Sequence, residues 1–366
     1  MSAGGPDPAA GGAAGAGQAP RRIYVTDCEG PLTRNDNAQE IAEHFIPDGA
    51  ELFARLSKYD DFLADVVRRP GYNAGDTLRL LPPFLKAFEV TDDGVEAFSA
   101  EGVLVVPGAI KALTEIAALL PAFIISTSYT PYLKALCELS GFPLANVRCT
   151  ELSLDAWLMP EDEKAWLREE AARVMERRLI EIPDEARSAD DLVPADAVTV
   201  ARLDDLFWAQ MDGRVSGELV AAVRPVGGGM KFAALEHIIA AEGVEGAGVM
   251  YVGDSITDAP PLAAVRAWGG VSLSFNGNGY ALAAAEFAAA SPDAGVAAEL
   301  AKAFAGGGRD GVEAAVRAWP KPKKGEKPTG RARARVGLVA EEPDALAEAS
   351  AAARRSVRGE RIARLG

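Results

Sequence analysis

Two carboxylates stand two residues apart in the sequence, at Asp27 and Glu29, and Gly30 follows them. On an extended backbone, side chains at positions i and i+2 lie on the same side, so both carboxylates can face one bound phosphate. One can attack phosphorus and form an acyl phosphate while the other moves protons. A plain acidic loop after a strand has the same sequence, so the pair needs partners before it indicates catalysis.

A second acidic segment, Gly253-Asp254-Ser255-Ile256-Thr257-Asp258, places two further carboxylates beside a glycine. Mg²⁺ prefers hard oxygen ligands, usually a few carboxylates together with waters and phosphate oxygens. The structural alternative is that Asp258 caps the next helix and that Asp254 lies in a solvated turn. This segment is the most specific fragment of the chain, and it predicts a Mg²⁺ site.

Polar residues in two other places could hold a phosphate group. Ser126 and Thr127 follow an apolar run, where hydroxyls and backbone N–H groups can bind phosphate oxygens. Such residues also commonly cap helices. Lys231 follows three glycines, and its ammonium could neutralise both Asp27 and the phosphate; a surface lysine is the alternative. The glycines match neither the P-loop nor the dinucleotide-binding pattern.

The elements around these residues alternate between strands and helices. Short apolar runs predict strands at 23–26, 122–126, 147–152, 248–252 and 270–274, with helical spacing between them. This rhythm is typical of an α/β protein, and we predict a doubly wound, mainly parallel, Rossmann-like sheet. Each candidate residue follows a predicted strand or begins the next helix, the edge at which open α/β sheets collect ligands.

The predicted organisation divides the chain into five parts. Helical periodicity interrupts the strands twice, and each interruption predicts an insertion into the catalytic core. The parts are a disordered leader (1–21), a catalytic core (22–36, 103–158 and 222–305), a helical cap (37–102), a second, largely helical insertion (159–221) and a basic, mobile tail (306–366).

Composition restricts the class of partner and the compartment. The formal charge is −15, although residues 309–366 are net basic, so the body of the chain repels nucleic acid on average. We therefore expect a small phosphorylated metabolite, held locally with the help of a divalent cation, and neither nucleic acid nor a membrane. Three cysteines without metal-site spacing, no secretory signal and no long apolar run favour the cytoplasm.

The order of these motifs resembles the four motifs of the haloacid-dehalogenase (HAD) superfamily, particularly its phosphoserine-phosphatase-like branch, over residues 22–305. The resemblance implies that Asp27 is the nucleophile. It implies that Glu29 is the general acid/base and, through its carbonyl, a metal ligand. It further implies the following roles: Ser126, Thr127 and Lys231 bind phosphate, Asp27 and Asp254 bind Mg²⁺, and Asp258 supports the metal or Lys231. A cap would close over the site.

Two residues depart from the superfamily pattern: Glu29 stands where Asp is usual and Pro31 where Thr is usual. The longer acid keeps open a phosphotransferase that uses an alcohol acceptor, beside a phosphatase that hydrolyses a small phosphomonoester. The run from Asp27 to Asn37 also resembles archaeal-type homologues labelled as an accessory subunit of an energy-converting hydrogenase. A non-catalytic accessory protein is therefore a further alternative.

Overall fold

The computed structural model describes residues 21–183, 185–321 and 330–359. Within them, seven strands form one sheet in the order β3-β2-β1-β4-β5-β6-β7, parallel except for β7, which is antiparallel to β6. The strands are β1 (Ile23–Thr26), β2 (Ala122–Tyr129), β3 (Val147–Thr150), β4 (Val249–Gly253), β5 (Val271–Phe275), β6 (Phe287–Ala290) and β7 (Arg335–Leu338). The predicted fold class, a mainly parallel α/β sheet, is confirmed.

Helices account for most of the remaining described residues. They are α1 (Asn37–Phe45), α2 (Gly49–Asp61), α3 (Thr77–Leu80), α4 (Pro82–Ala87), α5 (Asp92–Gly102), α6 (Ala109–Leu119), α7 (Thr130–Ser140), α8 (Glu161–Met175), α9 (Pro194–Asp205), α10 (Val215–Ala222), α11 (Gly228–Glu242), α12 (Ala259–Ala267), α13 (Gly279–Ala284), α14 (Gly295–Arg317) and α15 (Pro343–Arg358). None of the described helices is long and apolar enough to cross a membrane.

Helices cover both faces of the sheet. Successive residues of a strand point to opposite faces, and in the central strands the side chains on both faces are apolar. In β1, Tyr24 joins a large apolar cluster that includes side chains of α6, α7 and α14. Its neighbours Ile23 and Val25 join a second cluster on the other face, with side chains of α11, α12 and α13. Helices on both faces make the sheet doubly wound, as predicted from the alternation of elements.

Helices occupy both predicted insertions, 37–102 and 159–221. Their apolar side chains form one shared cluster, in which Leu56 and Phe84 of the first range are buried together with Leu167 and Leu203 of the second. The domain boundaries themselves remain a prediction. The first helix begins at Asn37, and its N-cap is Asp36, whose side chain accepts a hydrogen bond from the backbone N–H of Gln39.

The described part of the predicted basic tail, 306–366, forms secondary structure that packs on the sheet, and its mobility stays a prediction. Helix α14 continues to Arg317, β7 completes the sheet, and α15 packs against β6 and β7. Apolar residues explain the order: Val336 is buried, and the buried Trp319 donates its indole N–H to the carbonyls of Arg331 and Ala334. The tail's basic charge obscured these few apolar positions. Residues 322–329 and 360–366, like the predicted leader up to residue 20, lie outside the described residues.

Candidate active site

Neighbouring strands bring the two acidic segments together at the carboxyl edge of the sheet. Strands β1 and β4 pair in parallel with Thr26 beside Val252, so the residues that follow them meet. The approach is close at Gly30, whose φ is +96° and where a Cβ atom would lie 2.3 Å from Cγ of Asp254. Only glycine fits there, because any side chain would displace the carboxylate.

Lys231 is fully buried at the start of α11 and joins the two acidic segments. Its Nζ lies 2.6 Å from Oδ2 of Asp27 and 2.7 Å from Oδ1 of Asp258. Burial alone would lower the pKa of Lys231, but the carboxylates of Asp258 and Asp27 outweigh burial and raise it. The ammonium therefore stays charged between two carboxylates, and the alternative of a surface lysine was wrong.

Asp258 uses both of its oxygens inside the protein. Oδ1 accepts hydrogen bonds from Lys231 and from the hydroxyl of Tyr251, at 2.7 and 2.8 Å. Oδ2 accepts from the backbone N–H groups of Asp254 and Ser255, at 3.0 and 3.1 Å. Burial opposes ionisation, but Lys231 outweighs it and holds the pKa of Asp258 below its ordinary value. This geometry favours Asp258 as the support of Lys231 and of the turn over a direct metal ligand.

Asp27 is buried and lines a cavity together with Glu29, Ser126 and Asp254. Its Oδ1 accepts the backbone N–H of Cys28 at 2.6 Å, and its Oδ2 faces Lys231. Burial and the charges of Asp258 and Asp254 raise the pKa of Asp27, while Lys231 opposes them. Another cation in this cluster would favour the ionised carboxylate that attack on phosphorus requires.

Glu29 also lines the cavity, and its side chain is fixed by hydrogen bonds. Oε1 accepts from the hydroxyl of Ser128 at 2.7 Å and from the backbone N–H of Asn37 at 3.0 Å. Burial, and after it the charge of Asp36, raise the pKa of Glu29 to about 7. A carboxyl with this pKa can both give and take a proton near neutral pH.

The hydroxyl residues after Ile125 differ in the partners of their hydroxyl groups. Ser126 is buried and lines the cavity, and its Oγ accepts the N–H of Ser128 at 3.2 Å. Thr127 also lines the cavity but donates its hydroxyl to the carbonyl of Val226 at 3.1 Å. Strand β2 runs on to Tyr129, so all three hydroxyl residues belong to the strand and not to a helix cap.

Two arginines from α15 complete the site, and sequence reasoning missed both. Arg354 and Arg358 line the same cavity, and each donates from Nη1 to Oδ2 of Asp254; for Arg358 the distance is 3.1 Å. Nη2 of Arg358 is 3.8 Å from Oε2 of Glu29. The available signal was helical spacing, because Leu346, Arg354 and Arg358 lie on one face of an Ala-rich helix.

The donor set fits a divalent metal ion. One carboxylate oxygen each from Asp27, Asp254 and Asp258 lie within 4.8 Å of one another, all three residues being buried. Asp254 is held by two guanidinium groups through Oδ2, and within the described residues its Oδ1 has no hydrogen-bond partner. Asp27 and Asp254 would therefore hold the ion, since each oxygen of Asp258 already accepts two hydrogen bonds or more, whereas each oxygen of Asp27 has one such partner. Hard oxygen ligands of this kind suit Mg²⁺.

Comparisons with known proteins show similarity to solved structures only. No family model and no curated protein matches the chain. The structure of gene product AF1437 from Archaeoglobus fulgidus is similar with a TM-score of 0.79 and 29% identity, covering 94% of this chain and 99% of that one. The two chains therefore share their fold along nearly their whole length.

Phosphoserine phosphatase structures are more distant. A phospho-aspartyl intermediate analogue of phosphoserine phosphatase has a TM-score of 0.44 and 14% identity, over 73% of this chain and 92% of that one. A substrate-bound complex of phosphoserine phosphatase has a TM-score of 0.44 and 13% identity, over 74% and 93%. At these scores the similarity carries no argument about activity.

Proposed function

We propose that the chain is a Mg²⁺-dependent phosphatase of the HAD type, which moves the phosphoryl group of a small phosphomonoester to Asp27 and then to water. One observation carries the proposal: the buried Lys231 ammonium contacts both Asp27 and Asp258 at the edge of a cavity that Glu29, Ser126 and Asp254 also line. The residues that the four motifs supply thus lie in or beside one cavity, which supports the proposal.

In the first step the Asp27 carboxylate attacks phosphorus, and the bond between phosphorus and the ester oxygen breaks. Glu29 gives its proton to the leaving oxygen, which departs as an alcohol. Lys231, the hydroxyl of Ser126 and the backbone N–H of Thr127 hold the phosphoryl oxygens. In the second step water gives a proton to Glu29 and attacks phosphorus, and the bond to Asp27 breaks with release of inorganic phosphate.

A metal ion held by Asp27 and Asp254 would neutralise charge on the phosphoryl oxygens. The protein's part is to keep these carboxylates ionised and in place, through Lys231 and the turn that Asp258 anchors.

The cavity of about 140 Å³ suits the phosphate end of a small metabolite. Free thiols at Cys28, Cys137 and Cys149 support the prediction of a reducing, cytoplasmic location.

The test is a panel of phosphomonoesters, assayed for released phosphate with Mg²⁺ and again with EDTA. The protein is also quenched in acid during turnover, and its peptides are examined by mass spectrometry for a phosphoryl group on Asp27. We expect hydrolysis of at least one ester, loss of activity in EDTA and labelling of Asp27. Turnover without labelling would overturn the nucleophile; no turnover of any ester, with Mg²⁺ bound, would favour the non-catalytic alternative.

A further inference from the structure

Helix α15 presents an unusual buried face to the protein. Leu346, Ser350 and Arg354 follow each other at intervals of four and are buried, and Arg358 continues the same line. A core-facing helix normally buries an apolar stripe. Here the second half of the stripe is cationic, and the guanidinium groups of Arg354 and Arg358 reach the proposed active site.

The two guanidinium groups are held by oxygen atoms of the site. Nη1 of Arg354 donates to the main-chain carbonyl of Asp254 at 3.2 Å as well as to its carboxylate. Arg358 donates from Nη2 to the carbonyl of Asn35 at 2.6 Å and from Nε to that of Arg34 at 3.3 Å, besides its contact with Asp254. Both side chains thus have defined positions beside the carboxylate of the proposed metal site.

The charge of the arginine pair equals that of a divalent ion. The site contains four acids, Asp27, Glu29, Asp254 and Asp258, and Lys231 contacts two of them, Asp27 and Asp258. Without the arginines the site therefore has a strong deficit of positive charge. Two guanidinium groups supply the same formal +2 as Mg²⁺, next to the same carboxylate. In a buried site of low effective dielectric, cations this close repel each other strongly. Each cation therefore weakens the binding of the other.

Apolar packing holds α15 only weakly. Its buried leucine, Leu346, joins a cluster with just Leu282 and Ala288, and Val339 and Val357 make partly buried contacts. The hydrophobic contribution from one leucine is about 2 to 3 kcal/mol at most, so much of the docking depends on the arginines. A helix attached in this way can leave the site without disrupting the sheet core.

We infer that Arg354 and Arg358 compete with the divalent metal ion for Asp254, so that docking of α15 and metal binding oppose each other. The inference rests on the proposed function in taking Asp254 as a metal ligand, and it deepens that function by naming how the site is regulated. Helix α15 is then an internal cationic inhibitor, displaced or loosened as the metal concentration rises.

Two measurements that need no turnover test this inference. Amide hydrogen exchange of residues 346–358 is followed in the unaltered protein while MgCl₂ is added, and in Asp254→Asn as a control. Mg²⁺ affinity is measured by calorimetry in the unaltered protein and in Arg354→Gln/Arg358→Gln. The matched control is Arg355→Gln, which changes an exposed arginine of the same helix.

We expect Mg²⁺ to speed exchange in α15 at least threefold, and to have no such effect in Asp254→Asn. The double variant should bind Mg²⁺ at least tenfold more tightly, and Arg355→Gln should bind as the unaltered protein does. Weaker or unchanged binding in the double variant would overturn the inference, as would unchanged or slower exchange in the unaltered protein. If the double variant does not fold, the exchange result decides. Faster exchange without hydrolysis of any ester would overturn the proposed function alone.

Discussion

Asp27 is held between a backbone N–H and an ammonium, and both contacts orient its carboxylate toward the cavity. Replacing it with Asn keeps the size and one acceptor oxygen but removes the charge that attacks phosphorus. We expect Asp27→Asn to lower the hydrolysis rate by roughly a thousandfold or more, as for other lost nucleophiles. Phosphate release and circular dichroism of the same sample are the measurements. A folded variant with near-normal activity would refute the assignment.

Asp60, in the cap segment, is buried and accepts the backbone N–H of Gly75 at 2.9 Å. Burial, and after it the charge of Asp61, raise the pKa of Asp60 to about 8. Between its ordinary pKa and this value the folded protein binds a proton that the unfolded chain has released. The free energy of unfolding therefore falls as pH rises through that window.

Asp60→Asn should remove this pH dependence, because Asn keeps an acceptor and cannot ionise. We expect the unaltered protein to lose a few kcal/mol more than the variant between about pH 5 and about pH 8. Urea unfolding at both pH values measures the difference, and Asp212→Asn, at an exposed position, is the control. Parallel losses in all three proteins would refute the role of Asp60.

Asp27 and Asp254 could be placed together from sequence because each follows a strand, and parallel strands end at one edge. Lys231 lies in the first turn of α11 and reaches them from that helix. Arg354 and Arg358 could not be predicted, since a single sequence does not show where a charged helix will dock. The contacts of Asp258 could not be predicted either, because from sequence a carboxylate beside a turn could equally be a metal ligand or a support for Lys231.

Among the elements, the turn from Gly253 to Asp258 depends most on a single side chain. Asp258 accepts the ammonium of Lys231, the hydroxyl of Tyr251 and the two backbone N–H groups of the turn. The amide group of Asn would place its own N–H hydrogens against some of these donors. Lys231 would then keep Asp27 as its carboxylate partner but lose the charge of Asp258. We expect Asp258→Asn to lower the free energy of unfolding by about 3 to 5 kcal/mol.

Tyr251→Phe is the matched comparison for this change, because it removes only one hydrogen bond to Asp258. Its expected cost is about 1 kcal/mol. Urea unfolding of both variants gives the two values. Equal costs would show that the turn does not depend on the Asp258 charge.

Strand β6 shows where prediction of elements fails. The segment Phe287-Ala288-Ala289-Ala290 has little β propensity, and alanine favours helices, so its position between β5 and β7 makes it a strand. Strand β7 has more typical residues but follows a basic, proline-containing stretch. Strands β1 to β5 could be predicted within a few residues, because each contains a run of mostly apolar residues.

At the scale of the molecule, the two predicted insertions share one apolar core. Tyr59 of α2 stacks on Phe207, donates to Asp204 of α9 at 2.5 Å and accepts from Trp208 at 2.8 Å. Segments separated by more than a hundred residues therefore share one core. Sequence periodicity identified each as helical but gave no sign that they pack together, because that pairing is non-local.

Leu203→Ala should therefore weaken α2 as well as its own helix α9. We expect native-state hydrogen exchange to show a loss of about 2 to 5 kcal/mol in the protection of residues 49–61 and 194–205. Strands β1 and β4 should keep their protection. Val198→Ala, at an exposed position of α9, is the control. Unchanged protection in α2 would show that the two insertions unfold separately.

The antiparallel strand β7 has a consequence for solubility. Edge strands of a sheet usually carry charged residues or proline, because an unprotected edge strand can pair with a strand of another molecule. The β6 strand is uncharged and nearly all alanine, and among the described residues β7 covers its outer edge, with Arg335 of β7 in an ion pair with Glu342. A molecule in which β7 detaches exposes the unpaired backbone groups of β6 to other chains. Damage to this region should first become visible as turbidity at high protein concentration, before any loss of the central sheet.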